Sequence, residues 1–179
     1  MAVLNLPNAL TTVRIIIIPA FATSVMYQRY NHALYLFVAA ALTDALDGLT
    51  ARLKNQRTAL GTFLDPLADK FLIVTAFILF SYYGLVPGWL TITVISRDII
   101  VVTGWMLLYM TTHTMKVEPS VLGKAAIALQ LAFLCYVLLD INYVLPPGIK
   151  TPFIWAVALS AVASGVQYIQ RGLKHAGQK

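Results

Sequence analysis

Long runs of apolar residues, separated by short polar stretches, cover most of the chain. Six of these runs can be drawn as hydrophobic segments: residues 11–27, 33–51, 63–83, 89–111, 120–139 and 153–169. Glycine and proline fill several of the gaps, as in YYGLVPGW and LPPGIK, and both residues favour turns. A helix needs about 20 mainly apolar residues to cross a bilayer. The pattern therefore predicts an all-α integral membrane protein with six transmembrane helices.

Composition supports a membrane protein. Of the 179 residues, 59% are hydrophobic and 11% are charged, whereas soluble domains carry about 25% charged residues. The length leaves room for about six or seven spans, so we expect a single membrane domain over residues 1–179. The single cysteine, Cys135, excludes a disulfide framework within the chain. We attribute the net charge of +6 to topology and anionic ligands, and expect no nucleic-acid partner.

Lysine and arginine collect on one side of the predicted bundle. The short loops of a membrane protein that face the cytoplasm are rich in these residues. The enriched side carries Arg52, Lys54, Arg57, Lys116, Arg171, Lys174 and Lys179, and the opposite side carries Arg29 and Lys150. We therefore expect both termini, and the loop between the second and third segments, to be cytoplasmic in a multi-pass protein of the cell membrane.

Four of the seven acidic residues lie between positions 44 and 69. Asp44 and Asp47 are spaced i, i+3 near the end of the second segment, and Asp65 and Asp69 are spaced i, i+4 near the start of the third. Each spacing puts a pair on one helix face, and the short link favours antiparallel helices with those faces opposed. Carboxylates in a membrane need a positive partner, and oxygen ligands suit Mg²⁺, Mn²⁺ or Ca²⁺. We therefore predict a cytoplasm-facing site for one or two divalent ions that acts on a phosphorylated substrate.

Small and basic residues surround the aspartates. Gly48 and Ala51 continue the face of the first pair, and Gly61 lies at the entry of the next helix, where small side chains let a ligand approach the backbone. Arg52 adds a cation that can bind phosphate in a bidentate manner. The structural alternatives are that one aspartate alone ends a cytoplasmic helix and that the glycines serve packing.

The full pattern is Asp44-x-x-Asp47-Gly48-x-x-Ala51-Arg52, eight residues, then Gly61-x-x-x-Asp65-x-x-x-Asp69. At every fixed position it resembles the signature of the CDP-alcohol phosphotransferases, the CDP-alcohol phosphatidyltransferase family. The resemblance implies a two-metal site for Mg²⁺ or Mn²⁺ on the four aspartates, with Asp69 also accepting the proton of the attacking hydroxyl. It implies that CDP-diacylglycerol is the donor and that the protein is a homodimer. The CDP part of the donor would be bound by Gly48, Ala51, Arg52 and Gly61.

The acceptor is predicted from a second basic pair, Arg97 in the fourth segment and Lys124 in the fifth. An arginine inside a membrane segment is a functional candidate by default, although a pairing with Asp98 would make it structural. We expect an anionic glycerol-type acceptor. The runs VISRD and PSVLGK resemble those of CMP-forming cardiolipin synthases, which implies phosphatidylglycerol. Glycerol 3-phosphate, the acceptor of phosphatidylglycerophosphate synthases, is the main alternative, and inositol phosphate and serine are further ones.

Three other classes compete with a transferase of phospholipid biosynthesis. A cation transporter also uses intramembrane carboxylates, but the four aspartates lie toward one membrane face, and Asp140 near the other face is expected in a loop. A prenyltransferase with an aspartate-rich metal site needs more helices. A noncatalytic scaffold does not require a complete metal and phosphate site. We therefore expect an enzyme that releases CMP from CDP-diacylglycerol.

Overall fold

The computed structural model describes residues 6–54, 59–112, 121–146 and 148–176, with side chains for 16–43, 70–104, 121–146 and 148–171. Within these ranges the chain is helical and contains no strand. The helices are α1 (Leu6–Met26), α2 (Tyr30–Lys54), α3 (Ala59–Tyr82), α4 (Gly88–Thr112), α5 (Val121–Tyr143) and α6 (Lys150–Ala176). Each predicted hydrophobic segment corresponds to one helix, which confirms the all-α fold.

Among the residues that the structure describes, two stretches are long and apolar enough to cross a membrane on length and composition. They are α5 and residues Lys150–Arg171 of α6, with 23 and 22 residues. Shorter apolar helical stretches are found at Ile16–Met26 and Lys70–Tyr82 of the described chain. Six membrane spans with both termini in the cytoplasm remain a prediction.

The chain divides into two compact units, Met1–Tyr83 with Leu134–Leu145, and Gly84–Phe133 with Pro146–Lys179. The prediction of a single membrane domain over residues 1–179 remains open.

In the first unit, α1 packs against both α2 and α3. The ring of Phe21, which is fully buried, makes both contacts. Its centroid lies 5.9 Å from that of Phe37 on α2 and 6.2 Å from that of Phe80 on α3. Aromatic pairs at these separations add to the stabilisation that comes from burial. Phe21 therefore packs α1 against both α2 and α3.

The turn between α1 and α2 is closed by a Schellman motif. Gln28 adopts a left-handed φ of 56°. Its N–H donates to the carbonyl of Val25 at 2.9 Å, and the N–H of Arg29 donates to the carbonyl of Ser24 at 2.8 Å. These two bonds satisfy carbonyls that the end of a helix leaves open. The chain can then reverse within three residues and begin α2 at Tyr30.

In the second unit, α4 packs against α6, and the Phe133 ring of α5 lies 5.3 Å from the Phe153 ring of α6. The chain enters α4 through Gly84, which has a φ of 71°. This left-handed conformation suits glycine because the residue has no β-carbon.

The prediction that Asp140 lies in a loop was wrong, because α5 continues to Tyr143. Asp140 stabilises the end of this helix. Its carbonyl accepts the N–H of Val144 at 2.9 Å, and its carboxylate oxygen Oδ1 accepts the N–H of Leu145 at 3.2 Å. The carboxylate therefore satisfies a backbone N–H just beyond the end of α5.

Candidate active site

The backbone of the predicted metal-binding stretch is helical on both sides of its short link. Asp44 and Asp47 lie in the C-terminal half of α2, and Asp65 and Asp69 lie in the N-terminal half of α3. Residues three or four apart share one face of a helix, so each aspartate pair occupies one helix face. The side chains of all four residues lie outside the described part.

The predicted donor-binding residues are in the same two helices. Gly48, Ala51 and Arg52 follow the first aspartate pair in α2, and Gly61 precedes the second pair in α3. Their side chains also lie outside the described part, so their roles remain predictions. Among the described side chains, no three histidine, cysteine, aspartate or glutamate residues form a metal-binding group.

Helical periodicity relates the two acidic stretches to α1. Position 44 follows Phe37 by two turns, and position 69 precedes Phe80 by about three turns. The two positions therefore return to the sides of α2 and α3 that carry Phe37 and Phe80. Both of these rings contact Phe21. The register thus places one aspartate position from each pair on the side of its helix that turns toward α1.

The basic residue predicted to bind the acceptor, Arg97, lies midway along α4 and is only 6% exposed. Its Nη1 lies 2.6 Å from Oδ1 of Asp98. Its Nε and Nη2 donate to Oγ of Ser164 on α6, at 3.2 Å and 2.7 Å. Burial of a guanidinium in an apolar interior requires partners of this kind, and here all three nitrogens have one.

The close approach of α6 to Arg97 is possible because the next residue is small. A β-carbon placed on Gly165 would lie 3.6 Å from Cγ of Arg97, which is an ordinary packing distance. Asp98 and Ser164 are 7% and 2% exposed. The three polar side chains therefore form a buried cluster, which we call the α4–α6 clamp (Arg97, Asp98 and Ser164).

Three contacts set the direction of α6 relative to α4. The ring centroids of Trp89 and Trp155 lie 5.4 Å apart near the start of both helices. Arg97 contacts Ser164 in the middle, and Gly104 contacts Tyr168 further along. Residue numbers rise together on both helices, so α4 and α6 run parallel.

The second residue predicted to bind the acceptor, Lys124, is exposed near the start of α5. The buried side of that helix carries Ala126, Gln130, Phe133, Leu134, Val137 and Leu138. Position 124 is displaced from this side by helical periodicity. Among the contacts of the described residues, none joins Lys124 to Arg97, so a shared acceptor site remains a prediction.

The sequence analysis did not predict several other buried polar groups. Both amide atoms of Gln130 are buried without a hydrogen-bond partner in the described part of the chain, as are Oε1 of Gln167 and the hydroxyl of Tyr168. Ser164 was also missed. Its signal was a polar residue within an apolar helix, which is weak because a serine can bond to its own helix.

Comparison with known proteins decides the family. The sequence model of the family described as CDP-alcohol phosphatidyltransferase matches residues 4–166. The chain belongs to the CDP-alcohol phosphatidyltransferase family. The predicted resemblance is thereby confirmed, and this membership favours a transferase over the transporter, prenyltransferase and scaffold alternatives.

Relatives in this family have two kinds of name. Human cardiolipin synthase (CMP-forming) is 32% identical over 187 residues, which cover 95% of this chain and 62% of the human protein. The chain thus matches less than two thirds of that relative. A "probable phosphatidylglycerophosphate synthase" of Mycobacterium tuberculosis is 32% identical over 181 residues, covering 97% of this chain and 84% of the relative. The CDP-diacylglycerol–glycerol-3-phosphate 3-phosphatidyltransferase of Bacillus subtilis is 32% identical over 187 residues. The match covers 93% of this chain and 94% of that relative.

Proposed function

We propose that this protein transfers the phosphatidyl group of CDP-diacylglycerol to a hydroxyl of phosphatidylglycerol, which forms cardiolipin and releases CMP. The observation that carries the proposal is the family match over residues 4–166, which includes the complete aspartate motif. In the transfer step, the acceptor oxygen forms a bond to the lipid-side phosphorus. The bond from that phosphorus to the bridging oxygen breaks, and CMP leaves with the electron pair.

The four aspartates are proposed to bind Mg²⁺ or Mn²⁺. Carboxylate oxygens are the donors that these hard cations prefer, so the donor set fits the ions that the family resemblance implies. Asp44 and Asp47 on α2, with Asp65 and Asp69 on α3, would supply the ligands. Bound divalent ions neutralise charge on a diphosphate and stabilise the leaving oxygen.

Asp69 is also proposed to accept the proton of the attacking hydroxyl. A carboxylate can act as a general base when it lies within hydrogen-bond reach of the hydroxyl. The proton passes from the acceptor oxygen to the carboxylate as the new phosphorus–oxygen bond forms, and then to water. The CDP moiety is proposed to lie against Gly48, Ala51 and Gly61, with the Arg52 guanidinium donating to its phosphates.

The α4–α6 clamp supports a preference for phosphatidylglycerol. The phosphodiester of phosphatidylglycerol carries about one negative charge, whereas glycerol 3-phosphate carries nearly two. Asp98 neutralises Arg97 within the clamp, which weakens the attraction for a doubly charged group. Arg97 and Lys124 are proposed to bind the acceptor phosphate.

Glycerol 3-phosphate is the second candidate acceptor, because relatives named for it are similar to this chain. The Bacillus subtilis glycerol-3-phosphate enzyme is 32% identical over 187 residues, the same identity as human cardiolipin synthase. Six membrane spans, a cytoplasm-facing site and a homodimer complete the proposal, as the family resemblance implies.

The test is CMP release by the purified protein in mixed micelles that contain CDP-diacylglycerol and Mn²⁺ or Mg²⁺. We expect release with phosphatidylglycerol, and much slower release with glycerol 3-phosphate. The reverse order would establish the second acceptor, and no release with either would contradict the proposed activity.

A further inference from the structure

We propose that Ser164 is a positioning residue for acceptor recognition, because it holds the Arg97 guanidinium in one orientation for the acceptor phosphate. This inference rests on the proposed function, in which Arg97 binds that phosphate. Ser164 lies on α6, outside the family's aspartate motif, and its hydroxyl contacts the guanidinium through two donors at once.

Counting the hydrogen bonds of the Arg97 guanidinium shows which of its N–H donors remain for a ligand. A guanidinium has five N–H donors and no acceptor. Ser164 takes one from Nε and one from Nη2, and Asp98 takes one from Nη1. Within the described part of the chain, one donor therefore remains on each terminal nitrogen. Both lie in the plane of the guanidinium, where phosphate oxygens can accept charge-assisted hydrogen bonds from them.

Ser164 fixes that plane. Nε and Nη2 form one edge of the planar guanidinium, and a single oxygen that accepts from both restrains rotation of the group about the Cδ–Nε bond. The flexible stem of Arg97 would otherwise sample many rotamers at a cost in entropy on binding. Its stem passes over Gly165 at ordinary packing distance, so the backbone of α6 does not push it out of place.

The other reading is that the clamp only ties α4 to α6. Both readings predict lower stability when the Ser164 hydroxyl is removed, so stability alone does not separate them. The KM for the acceptor separates the two readings. A purely structural tie would lower the amount of folded enzyme or its kcat. A positioning role raises KM for the acceptor and leaves KM for CDP-diacylglycerol unchanged.

The experiment compares Ser164→Ala with Ser160→Ala in steady-state CMP release, with each substrate varied in turn. Ser160 is a matched control because its hydroxyl donates to the Val157 carbonyl of its own helix at 2.9 Å. We expect Ser164→Ala to raise acceptor KM about tenfold or more, the effect of one lost bond to a charged group. Donor KM should stay within about twofold, and Ser160→Ala should match the unaltered protein.

Two further variants keep the test decisive. Ser164→Thr retains the hydroxyl and should restore acceptor KM to within about threefold. If Ser164→Ala does not fold, Ser164→Cys carries the test, since its sulfur is a weak acceptor and should give an intermediate KM. An unchanged acceptor KM in folded Ser164→Ala would overturn the positioning role. An unaltered protein that releases no CMP with either acceptor would instead overturn the proposed function.

Discussion

A β-carbon placed on Gly104 of α4 would lie 2.7 Å from Cε1 of Tyr168 on α6. Real side chains do not approach this closely, so the tyrosine ring occupies the space that glycine leaves open. The parallel contact between α4 and α6 depends on this pair at one end and on the contact between the tilted Trp89 and Trp155 rings at the other.

Gly104→Ala should therefore destabilise the protein. The added methyl group must displace the Tyr168 ring or separate the helices, and overpacking of this kind costs about 1–3 kcal/mol. Thermal unfolding in detergent measures the effect. Gly165→Ala is the matched control, because its β-carbon would meet Cγ of Arg97 at 3.6 Å. Equal melting temperatures for the two variants would contradict this account of the helix contact.

Gln130→Met should stabilise the protein. The glutamine is 0% exposed, and neither amide atom has a hydrogen-bond partner in the described part of the chain. An unsatisfied buried polar group costs about 1–3 kcal/mol, and methionine fills a similar volume without it. We expect a higher melting temperature with unchanged acceptor KM. A lower melting temperature would show that the amide has a partner in the folded protein.

Phe21→Ala should lower both stability and activity. The ring contacts α2 through Phe37 and α3 through Phe80, so its loss leaves a cavity where α1 packs against the two helices that carry the aspartates. Such truncations cost about 3–5 kcal/mol. The comparison is Phe71→Ala on α3, whose side chain is 60% exposed and leaves no cavity. Melting temperature and CMP release should fall only for Phe21→Ala, and similar losses in both variants would count against the role of Phe21.

Asp69→Asn should reduce turnover by about 10²–10⁴, because the amide cannot accept the hydroxyl proton. We expect the folded protein to keep much of its affinity for CDP-diacylglycerol. Asp140→Asn is the control, since Asp140 caps the end of α5 and lies outside the proposed site. Substantial turnover by Asp69→Asn, measured as CMP release at saturating substrates, would refute its assignment as base.

Several features of the fold were predictable from the sequence for a physical reason. Apolar runs of span length must become helices in a bilayer, since only internal hydrogen bonds satisfy the backbone there. Hydrophobicity does not fix where such a helix ends. Asp140 was expected in a loop, yet its carboxylate accepts a backbone N–H and α5 continues past it.

The α4–α6 clamp contains a contact that the local sequence does not predict. Arg97 was recognised because a charge within an apolar segment stands out, and the adjacent Asp98 suggested a pairing. Ser164 is far away in the chain, and only the parallel packing of α4 and α6 brings its hydroxyl to the guanidinium. Partners that depend on helix register cannot be predicted from local pattern alone.

The most direct test of the central claim is CMP release from CDP-diacylglycerol by the purified protein, before and after removal of divalent metal with EDTA. We predict release with phosphatidylglycerol as acceptor, loss of that release with EDTA, and recovery on addition of Mn²⁺ or Mg²⁺. Undiminished release in EDTA would contradict a metal site on the four aspartates, and no release with any glycerol-type acceptor would contradict the proposed phosphatidyl transfer.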